Sequence, residues 1–104
     1  AMAKSHGIVD VIVDPGFGFS KTLDQNYEVL QKLDLLQNLD VPVLSALSRK
    51  SMIYKFFQTT PQEALNGTSV LNTISLMKAA NLLRVHDVKE AVECVKLFNK
   101  TNEN

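Results

Sequence analysis

The sequence predicts an α/β fold in which short, buried, parallel strands alternate with helices. Three apolar runs, at 8–13, 41–47 and 81–88, are separated by longer segments whose apolar residues recur at helical spacing. Runs that are apolar along most of their length are typical of strands in a parallel sheet covered by helices on both faces. The order β-α-β-α-β-α is common to doubly wound sheets and (β/α) barrels, and the pattern leaves both open.

The first strand and the first helix have clear boundaries. Residues rich in β-branched side chains fill 8–13, and the turn sequence "DPG" ends that strand. Leucines and a tyrosine then recur at helical spacing over 23–39 with charged residues between them, which predicts an amphipathic helix. Pro42 closes this helix, because the residue before a proline avoids the α conformation.

Two further β/α units follow. The run 41–47 predicts the second strand, 52–57 a short helical piece, and 81–88 the third strand. Longer helices are predicted over 61–80, with proline at its first position, and over 87–98. A capping box, in which a polar N-cap is followed three residues later by glutamate, marks the start of each. The two pairs are Thr60 with Glu63, and Asp87 with Glu90.

The predicted sheet is too small to stand alone. Three strands leave two open edges, and apolar strands make poor edges. A flavodoxin-like sheet has about five strands, and a (β/α) barrel has eight strands and roughly 250 residues. We therefore expect the 104 residues to form a single partial domain. Within it, 1–6 are interpreted as a tag scar with the tail of a preceding helix, and 99–104 as a frayed tail.

Composition excludes several classes of function. Eleven basic and eleven acidic residues give a formal charge of zero, so no basic excess is available for nucleic acid or for anionic lipid. The apolar stretches are far shorter than the ~20 residues of a membrane span. Cys94 is the only cysteine, which excludes an intrachain disulfide and a cysteine-based metal site. These features predict a cytoplasmic protein with neither nucleic-acid nor membrane partners.

The loop "DPGFGFSKT", residues 14–22, has glycines and a lysine after a strand but is not a nucleotide-binding loop. A Walker A loop needs glycine directly before its lysine, and here Ser20 precedes Lys21. The dinucleotide pattern fails as well, because its last glycine is replaced by Lys21. The loop is either an ordinary turn or one wall of a pocket for a flat ligand, formed by Phe17 and Phe19 with Asp14 at the strand tip.

The other two strands also end in polar residues. Ser48-Arg49-Lys50-Ser51 places two cations and two hydroxyls after the second strand, which suits either solvent exposure or an anion. Arg84 and His86, two residues apart, share one face of the third strand. They either bond a neighbouring carbonyl or Asp87, or form an anion site with the following helix N-terminus. Since all three tips lie at one edge, an active-site rim is the favoured interpretation.

Four motifs in this order and at these separations, "DPGFGFSKT", "SRKSMI", "EALNGT" and "RVHDVKE", resemble dihydropteroate synthase. The likeness runs from about Gly7 to Phe98. It implies that the chain corresponds to the last three β/α units of an eight-stranded TIM barrel, with parallel strands, covering helices and no counterpart of the first five units. It also implies a transferase of folate biosynthesis.

The resemblance implies binding roles for individual residues. Asp14 and Lys50 would bind the pterin, and Arg84 and His86 the departing diphosphate. Lys21 falls on a lysine that the family shares. The residues implied on the p-aminobenzoate side are Gly18, Phe19, Ser48 and Arg49.

The implied reaction is the condensation of p-aminobenzoate with 7,8-dihydropterin-6-ylmethyl diphosphate, which releases diphosphate. Mg²⁺ is expected for the full-length family, with its ligand on units that have no counterpart here, so we expect no turnover from this chain alone. The resemblance also implies a homodimer through the helices 61–80 and 87–98. Alternatives are a pterin-binding methyltransferase-type barrel and a non-catalytic assembly module.

Overall fold

Helices and short parallel strands alternate along the computed structural model, which describes residues 12–18 and 21–103. Two segments, Leu33–Leu39 and Pro61–Glu63, are 3-10 helices. The α-helices and strands, numbered in chain order, are α1 (Leu23–Gln31), β1 (Leu44–Ser45), α2 (Ser51–Tyr54), α3 (Leu65–Met77), β2 (Leu82–Leu83) and α4 (Val88–Thr101). The predicted α/β class is confirmed.

The sheet brings three strand segments side by side in parallel. β1 pairs with β2, with Leu44 opposite Leu82. On the other side of β1, Val13 forms a parallel bridge with Val43, and the Leu44 amide donates to the Val13 carbonyl at 2.8 Å. The earlier part of the predicted strand 8–13 lies outside the described residues. The carboxyl ends of all three segments therefore lie at one edge of the sheet.

Both strands are much shorter than the apolar runs that predicted them. At the start of the ladder, the amide of Val43 bonds the side chain of Asn81 at 2.9 Å instead of a backbone carbonyl. At its end, the amide of Arg84 donates to the carbonyl of Ser45 at 3.0 Å. Beyond this point the chain turns toward side-chain partners, so most of 41–47 and 81–88 lies outside the regular ladder.

The continuous helix predicted over 23–39 is wrong in its second half. α1 begins with a capping box in which Thr22 and Gln25 bond each other's backbone amides at 3.1 and 2.8 Å. The chain then tightens into the 3-10 helix Leu33–Leu39 and stops at Asp40, which has a left-handed φ of 56°. Three of the four leucines of this segment, Leu33, Leu36 and Leu39, recur every third residue, which is the repeat of a 3-10 helix.

The capping boxes predicted for the two later helices are also wrong. The side chain of Thr60 makes no cap hydrogen bond, because the turn that follows it is a separate 3-10 helix and α3 starts only at Leu65. Asp87 precedes α4 but does not cap it. Its carboxylate is bound instead by Arg49.

The tail predicted to fray from residue 99 is helical as far as Thr101. The hydroxyl of Thr101 donates to the carbonyl of Phe98 at 2.7 Å, and the side-chain amide of Asn102 donates to the same carbonyl at 3.0 Å. These two bonds satisfy a carbonyl that the last helical turn leaves without an intrahelical partner.

The hydrophobic core includes a residue of the first loop, the segment that follows Val13 and precedes α1. Phe17 is 1% exposed and also lines a recess beside Lys50, so it is both a core residue and part of a pocket wall, as the loop sequence suggested. It anchors the loop in the core by burying a large aromatic surface. The other buried members of this cluster are Leu30, Leu33, Val43, Leu47, Met52, Ile53, Ala64, Leu71 and Ala80.

Apolar side chains remain exposed at both edges of the sheet. Ile12, next to the bridge at Val13, is 50% exposed, and Leu82 in β2 is 43% exposed. Leu35 and Leu39 are exposed beside α1, and Val88 at the start of α4. Within residues 12–18 and 21–103, no helix has both the length and the apolar composition that crossing a membrane requires.

Gly67 allows α3 to pack closely against a side chain of α2. A Cβ atom at this position would lie 2.5 Å from Cγ2 of Ile53, which is 1% exposed. Ile53 is β-branched and enclosed by the core, so it has little freedom to move away. The glycine weakens the helix locally but permits this contact.

We expect Gly67→Ala to lower the free energy of unfolding by about 1 kcal/mol. Overpacking against Ile53 costs about 1–3 kcal/mol, which outweighs the gain of about 1 kcal/mol in helix propensity. Urea denaturation followed by circular dichroism measures the change. Asn66→Ala, at an exposed position in the same turn, is the control and should not destabilise; a more stable Gly67→Ala variant would contradict the packing argument.

Candidate functional site

A polar hollow of about 400 Å³ opens at the carboxyl ends of β1 and β2. Four of the residues that line it come from the strand tips highlighted by the sequence: Ser48, Lys50, Arg84 and His86. Parallel strands have their carboxyl ends at one edge of the sheet. The residues from the tip of β1 therefore meet residues from the tip of β2 that are 34 or more positions later in the chain. Ala46 and Val85 complete the lining.

Lys50 joins the hollow to the first loop. Its ammonium donates to the carbonyl of Phe17 at 2.9 Å. Burial lowers the pKa of Lys50, with smaller contributions in the same direction from Arg84 and Lys21 and an opposing one from Asp14. The carbonyl and the Asp14 carboxylate both favour the charged form, so two groups of the first loop offset part of the cost of burying this cation.

The first loop is held in shape by several polar contacts. Asp14 accepts from the amide of Gly16 at 2.8 Å, and Lys21 donates to the carbonyl of Gly16 at 2.7 Å. Gly18 has a φ of 90°, and its amide donates to the side chain of Asn26 at 2.8 Å. Asn26 is 2% exposed and was missed by sequence reasoning, because a polar residue within a helical pattern does not reveal its partner.

Ser48 and His86 form a close pair on the wall of the hollow. Oγ of Ser48 lies 2.9 Å from Nδ1 of His86 and accepts from the backbone amide of His86 at 3.2 Å. Ser48 is 4% exposed, whereas the His86 side chain is exposed. The hydroxyl expected on the p-aminobenzoate side therefore bonds the histidine expected at the diphosphate.

Arg49 faces away from the hollow and binds Asp87. Its Nε and Nη2 donate to the two carboxylate oxygens at 2.8 and 2.9 Å, and Nη1 donates to the carbonyls of Pro61 and Gln62. The hydrogen bond from Arg49 lowers the pKa of Asp87, and the same bond raises the pKa of Arg49. Arg49 has a left-handed φ of 53°, and its amide donates to the hydroxyl of Thr68 at 3.0 Å.

A second recess, of about 350 Å³, lies on the other side of Lys50. Gly18 and Arg49, both expected on the p-aminobenzoate side, line it. Phe19 lies outside the described residues. Ser51 also lines this recess and was not among the predicted site residues, although it belongs to the same polar run. Asp14 lines neither cavity but acts electrostatically on Lys50.

The described residues are not fitted to hold a metal ion. Across residues 12–18 and 21–103, no three or more His, Cys, Asp or Glu side chains are grouped so that they could bind one. The hollow instead combines two cationic side chains, an imidazole and a hydroxyl. Such groups suit an anionic ligand that accepts hydrogen bonds.

Comparison with known proteins identifies consistent relatives. A family model described as pterin binding enzyme matches residues 1–86. Dihydropteroate synthase of Escherichia coli is 41% identical over 91 residues, which are 88% of this chain and 32% of that protein. That of Clostridium beijerinckii is 39% identical over 99 residues, covering 92% and 37%. The chain thus spans about a third of the length of these curated relatives.

Solved structures that are similar to this chain are also dihydropteroate synthases. Dihydropteroate synthase from Vibrio fischeri has a TM-score of 0.89 at 41% identity, covering 94% of this chain and 37% of that one. The Thermus thermophilus enzyme in complex with 4-aminobenzoate has a TM-score of 0.87 at 37% identity, covering 95% and 39%. The Yersinia pestis enzyme with a pterine-sulfa conjugate has a TM-score of 0.84 at 40% identity, covering 86% and 36%.

We expect Asp87→Asn to remove a pH-dependent part of the stability. Because Arg49 lowers the folded pKa of Asp87 below its ordinary value of 3.8, the ion pair contributes fully above that value. The contribution is lost as the pH falls through the lower folded value. At neutral pH the variant should therefore unfold at a lower urea concentration than the unmodified chain, and the two midpoints should converge in acid.

Urea unfolding between neutral pH and about pH 2, below the ordinary carboxyl range, measures this convergence. Glu93→Gln removes an exposed carboxylate from α4, the helix that follows Asp87, and is the matched control. A gap between Asp87→Asn and the unmodified chain that stays constant across this range would show that the ion pair is not its source.

Proposed function

The chain belongs to the family of pterin-binding enzymes, and on that premise we propose that it supplies the diphosphate-binding part and half of the pterin site of a dihydropteroate synthase. One observation carries this proposal: Lys50, Arg84 and His86, from the tips of two adjacent parallel strands, line one hollow. Fixed cations and N–H donors around one cavity stabilise the charge that a leaving diphosphate gains.

We propose that the chain forms the last three β/α units of an eight-stranded barrel. Its three parallel segments, around Val13, β1 and β2, lie side by side in chain order, as neighbouring barrel strands do. The exposed Ile12 and Leu82 lie on the two outer segments, where further strands would cover them. The share of the relatives that the chain spans, about a third, fits three units of eight.

In the proposed reaction the amine of p-aminobenzoate attacks the methylene carbon attached to the pterin. A C–N bond forms, the C–O bond to diphosphate breaks, the electron pair leaves with the diphosphate, and the amine loses a proton. Arg84 and His86 bind the departing diphosphate, while Lys50 and Asp14 bind the pterin. An aromatic amine is already unprotonated at neutral pH, so no strong base is required.

The recess beside Lys50 is proposed to hold p-aminobenzoate. Gly18 and Arg49 border it, and the hydroxyl of Ser51 offers a further polar contact. The Arg49 guanidinium donates four hydrogen bonds, two to Asp87 and one each to Pro61 and Gln62, and the three to Asp87 and Pro61 are shorter than 3.0 Å. We therefore propose that Arg49 shapes this recess mainly by fixing its walls. Phe19 lies outside the described residues, and its proposed role in binding p-aminobenzoate rests on the resemblance alone.

The remaining parts of the activity are assigned to segments beyond this chain. The Mg²⁺ expected for the full-length family is proposed to bind there, because the described residues offer no group fitted to hold it. The isolated chain is proposed to bind diphosphate without catalysing condensation. Cys94 is a free thiol, which fits a reducing compartment, and the cytoplasm is the proposed location.

We also propose that two copies of the chain associate through α3 and α4. The two helices pack against each other and border a groove of about 520 Å³. Its lining includes Met77, which is 69% exposed, and Leu97, which is 68% exposed. Large apolar side chains together at a groove favour burial against a complementary surface, and a second copy supplies one by two-fold symmetry.

We expect Arg84→Ala to weaken the binding of inorganic diphosphate by at least about tenfold. A charge-assisted hydrogen bond of this kind is worth about 1.5 kcal/mol or more, which is roughly a factor of ten. Isothermal titration calorimetry at low ionic strength measures the affinity. Lys96→Ala removes an exposed cation from α4 and is the control. Equal weakening in both variants, or none in Arg84→Ala, would overturn the assignment of the hollow.

We expect Leu97→Glu to shift the chain toward the monomer in sedimentation velocity experiments, because it places a charge on the proposed contact face. Leu35→Glu changes a leucine that is 60% exposed beside α1 and should leave association unchanged. If Leu35→Glu dissociates the chain and Leu97→Glu does not, the contact lies at the 3-10 helix beside α1 and the α3–α4 proposal is wrong.

A further inference from the structure

Two consecutive residue pairs connect the tip of β1 to the tip of β2. Ser48 bonds His86, and the next residue, Arg49, bonds the next residue, Asp87. Two adjacent side-chain contacts therefore join the same pair of loops. We infer that Ser48 is a positioning residue that fixes the tautomer of His86, so that Nε2 carries the proton offered to the diphosphate. This inference rests on the proposed function of the hollow.

The hydrogen-bond capacity of the Ser48 hydroxyl determines which atom donates in the contact between Ser48 and His86. A serine hydroxyl has one donor hydrogen and two acceptor lone pairs. The Oγ of Ser48 already accepts from the backbone amide of His86 at 3.2 Å. If Nδ1 of His86 also donated to Oγ, both contacts of the hydroxyl would use lone pairs, and its hydrogen would need a third partner.

No third partner is present in the part of the chain that the structure describes. The hydrogen bonds of the Ser48 side chain are the two to His86. Ser48 is 4% exposed, so water does not readily replace the missing acceptor. The hydroxyl therefore donates to Nδ1 of His86, and accepting from the amide strengthens it as a donor.

When Nδ1 accepts, the proton of the neutral imidazole lies on Nε2. Nε2 has no hydrogen-bond partner among the described residues, and His86 lines the hollow. A protonated imidazole carries hydrogens on both nitrogens. The nitrogen available to a ligand is therefore a donor in either form, as a diphosphate oxygen requires.

The neighbouring pair keeps this geometry in place. Arg49 binds both oxygens of Asp87, the residue next to His86, through a planar fork that resists rotation. The amide of Arg49 is bound in turn by Thr68 on α3. The side chain of Ser48 is thus held beside the imidazole by a backbone fixed on both strands, and the role expected for Ser48 at p-aminobenzoate becomes a role at the diphosphate.

The imidazole nitrogens report the tautomer directly. The sequence has two histidines. The other one, His6, is replaced by glutamine in every protein studied, so that His86 gives the one set of imidazole signals. Long-range ¹H–¹⁵N correlation spectra of the chain, recorded in alkali where imidazole is neutral, should show the Nε2–H form of His86. Ser48→Ala should give a mixture of tautomers, and Ser48→Thr, which keeps a hydroxyl, should restore the Nε2–H form.

Inorganic diphosphate titrations of the same variants test the consequence. Ser48→Ala should bind several-fold more weakly than the unmodified chain, with recovery in Ser48→Thr. Ser75→Ala is the matched control, because it removes a buried hydroxyl whose hydrogen bond, at 2.8 Å, is to Ser45 and not to His86. It should change neither the tautomer nor the affinity.

The two readouts separate the inference from the proposed function. An Nδ1–H tautomer in the unmodified chain, or spectra unchanged in Ser48→Ala, would overturn the role of Ser48 whatever binds in the hollow. An Nε2–H tautomer that depends on Ser48, found together with no diphosphate binding in any variant, would support the positioning role and contradict the proposed ligand.

Discussion

Both oxygens of Asp87 are bound by the guanidinium of Arg49, and this ion pair joins the two loops that form the hollow. Along the chain, its two residues are next to residues whose side chains line the cavity. Ser48 and Lys50 stand on either side of Arg49, and His86 precedes Asp87. A fixed planar contact between the central residues limits the movement of their neighbours.

The left-handed conformation of Arg49 distributes three consecutive side chains among three partners. Ser48 bonds His86, Arg49 bonds Asp87, and Lys50 bonds the carbonyl of Phe17. An extended segment would alternate its side chains between two faces only. A positive φ is unfavourable for a residue with a Cβ, so the surrounding hydrogen bonds must hold it. The segment around this strained residue thereby contacts the first loop through Lys50, the hollow through Ser48, and the residue before α4 through Arg49.

Burial of Phe17 explains how a glycine-containing loop becomes part of a defined site. The aromatic ring lies in the core, while the carbonyl of the same residue accepts from Lys50. The side-chain oxygen of Asn26, in α1, accepts from the adjacent amide of Gly18. The loop is therefore positioned by one apolar anchor and two polar contacts, although two glycines with positive φ make its backbone intrinsically adaptable.

The sequence by itself determined the α/β class, the order of strands and helices, and the clustering of Lys50, Arg84 and His86 at one edge. Hydrophobic periodicity and the common direction of parallel strands are sufficient for these, since both follow from residues close together in the chain. The boundaries were less well predicted, because helix ends are poorly marked in a sequence and because a distant side chain, that of Asn81, takes the amide of Val43 at the start of the ladder.

Only the tertiary structure decided which polar group meets which. Ser48 and Arg49 are each 38 residues from their partners, and Asp87 has the sequence features of an N-cap but serves as an ion-pair acceptor. Phe17 has the sequence setting of an exposed loop residue but is buried. A side chain forms a hydrogen bond with a group that folding brings within about 3 Å of it. The distance between two groups in space cannot be read from their separation along the chain.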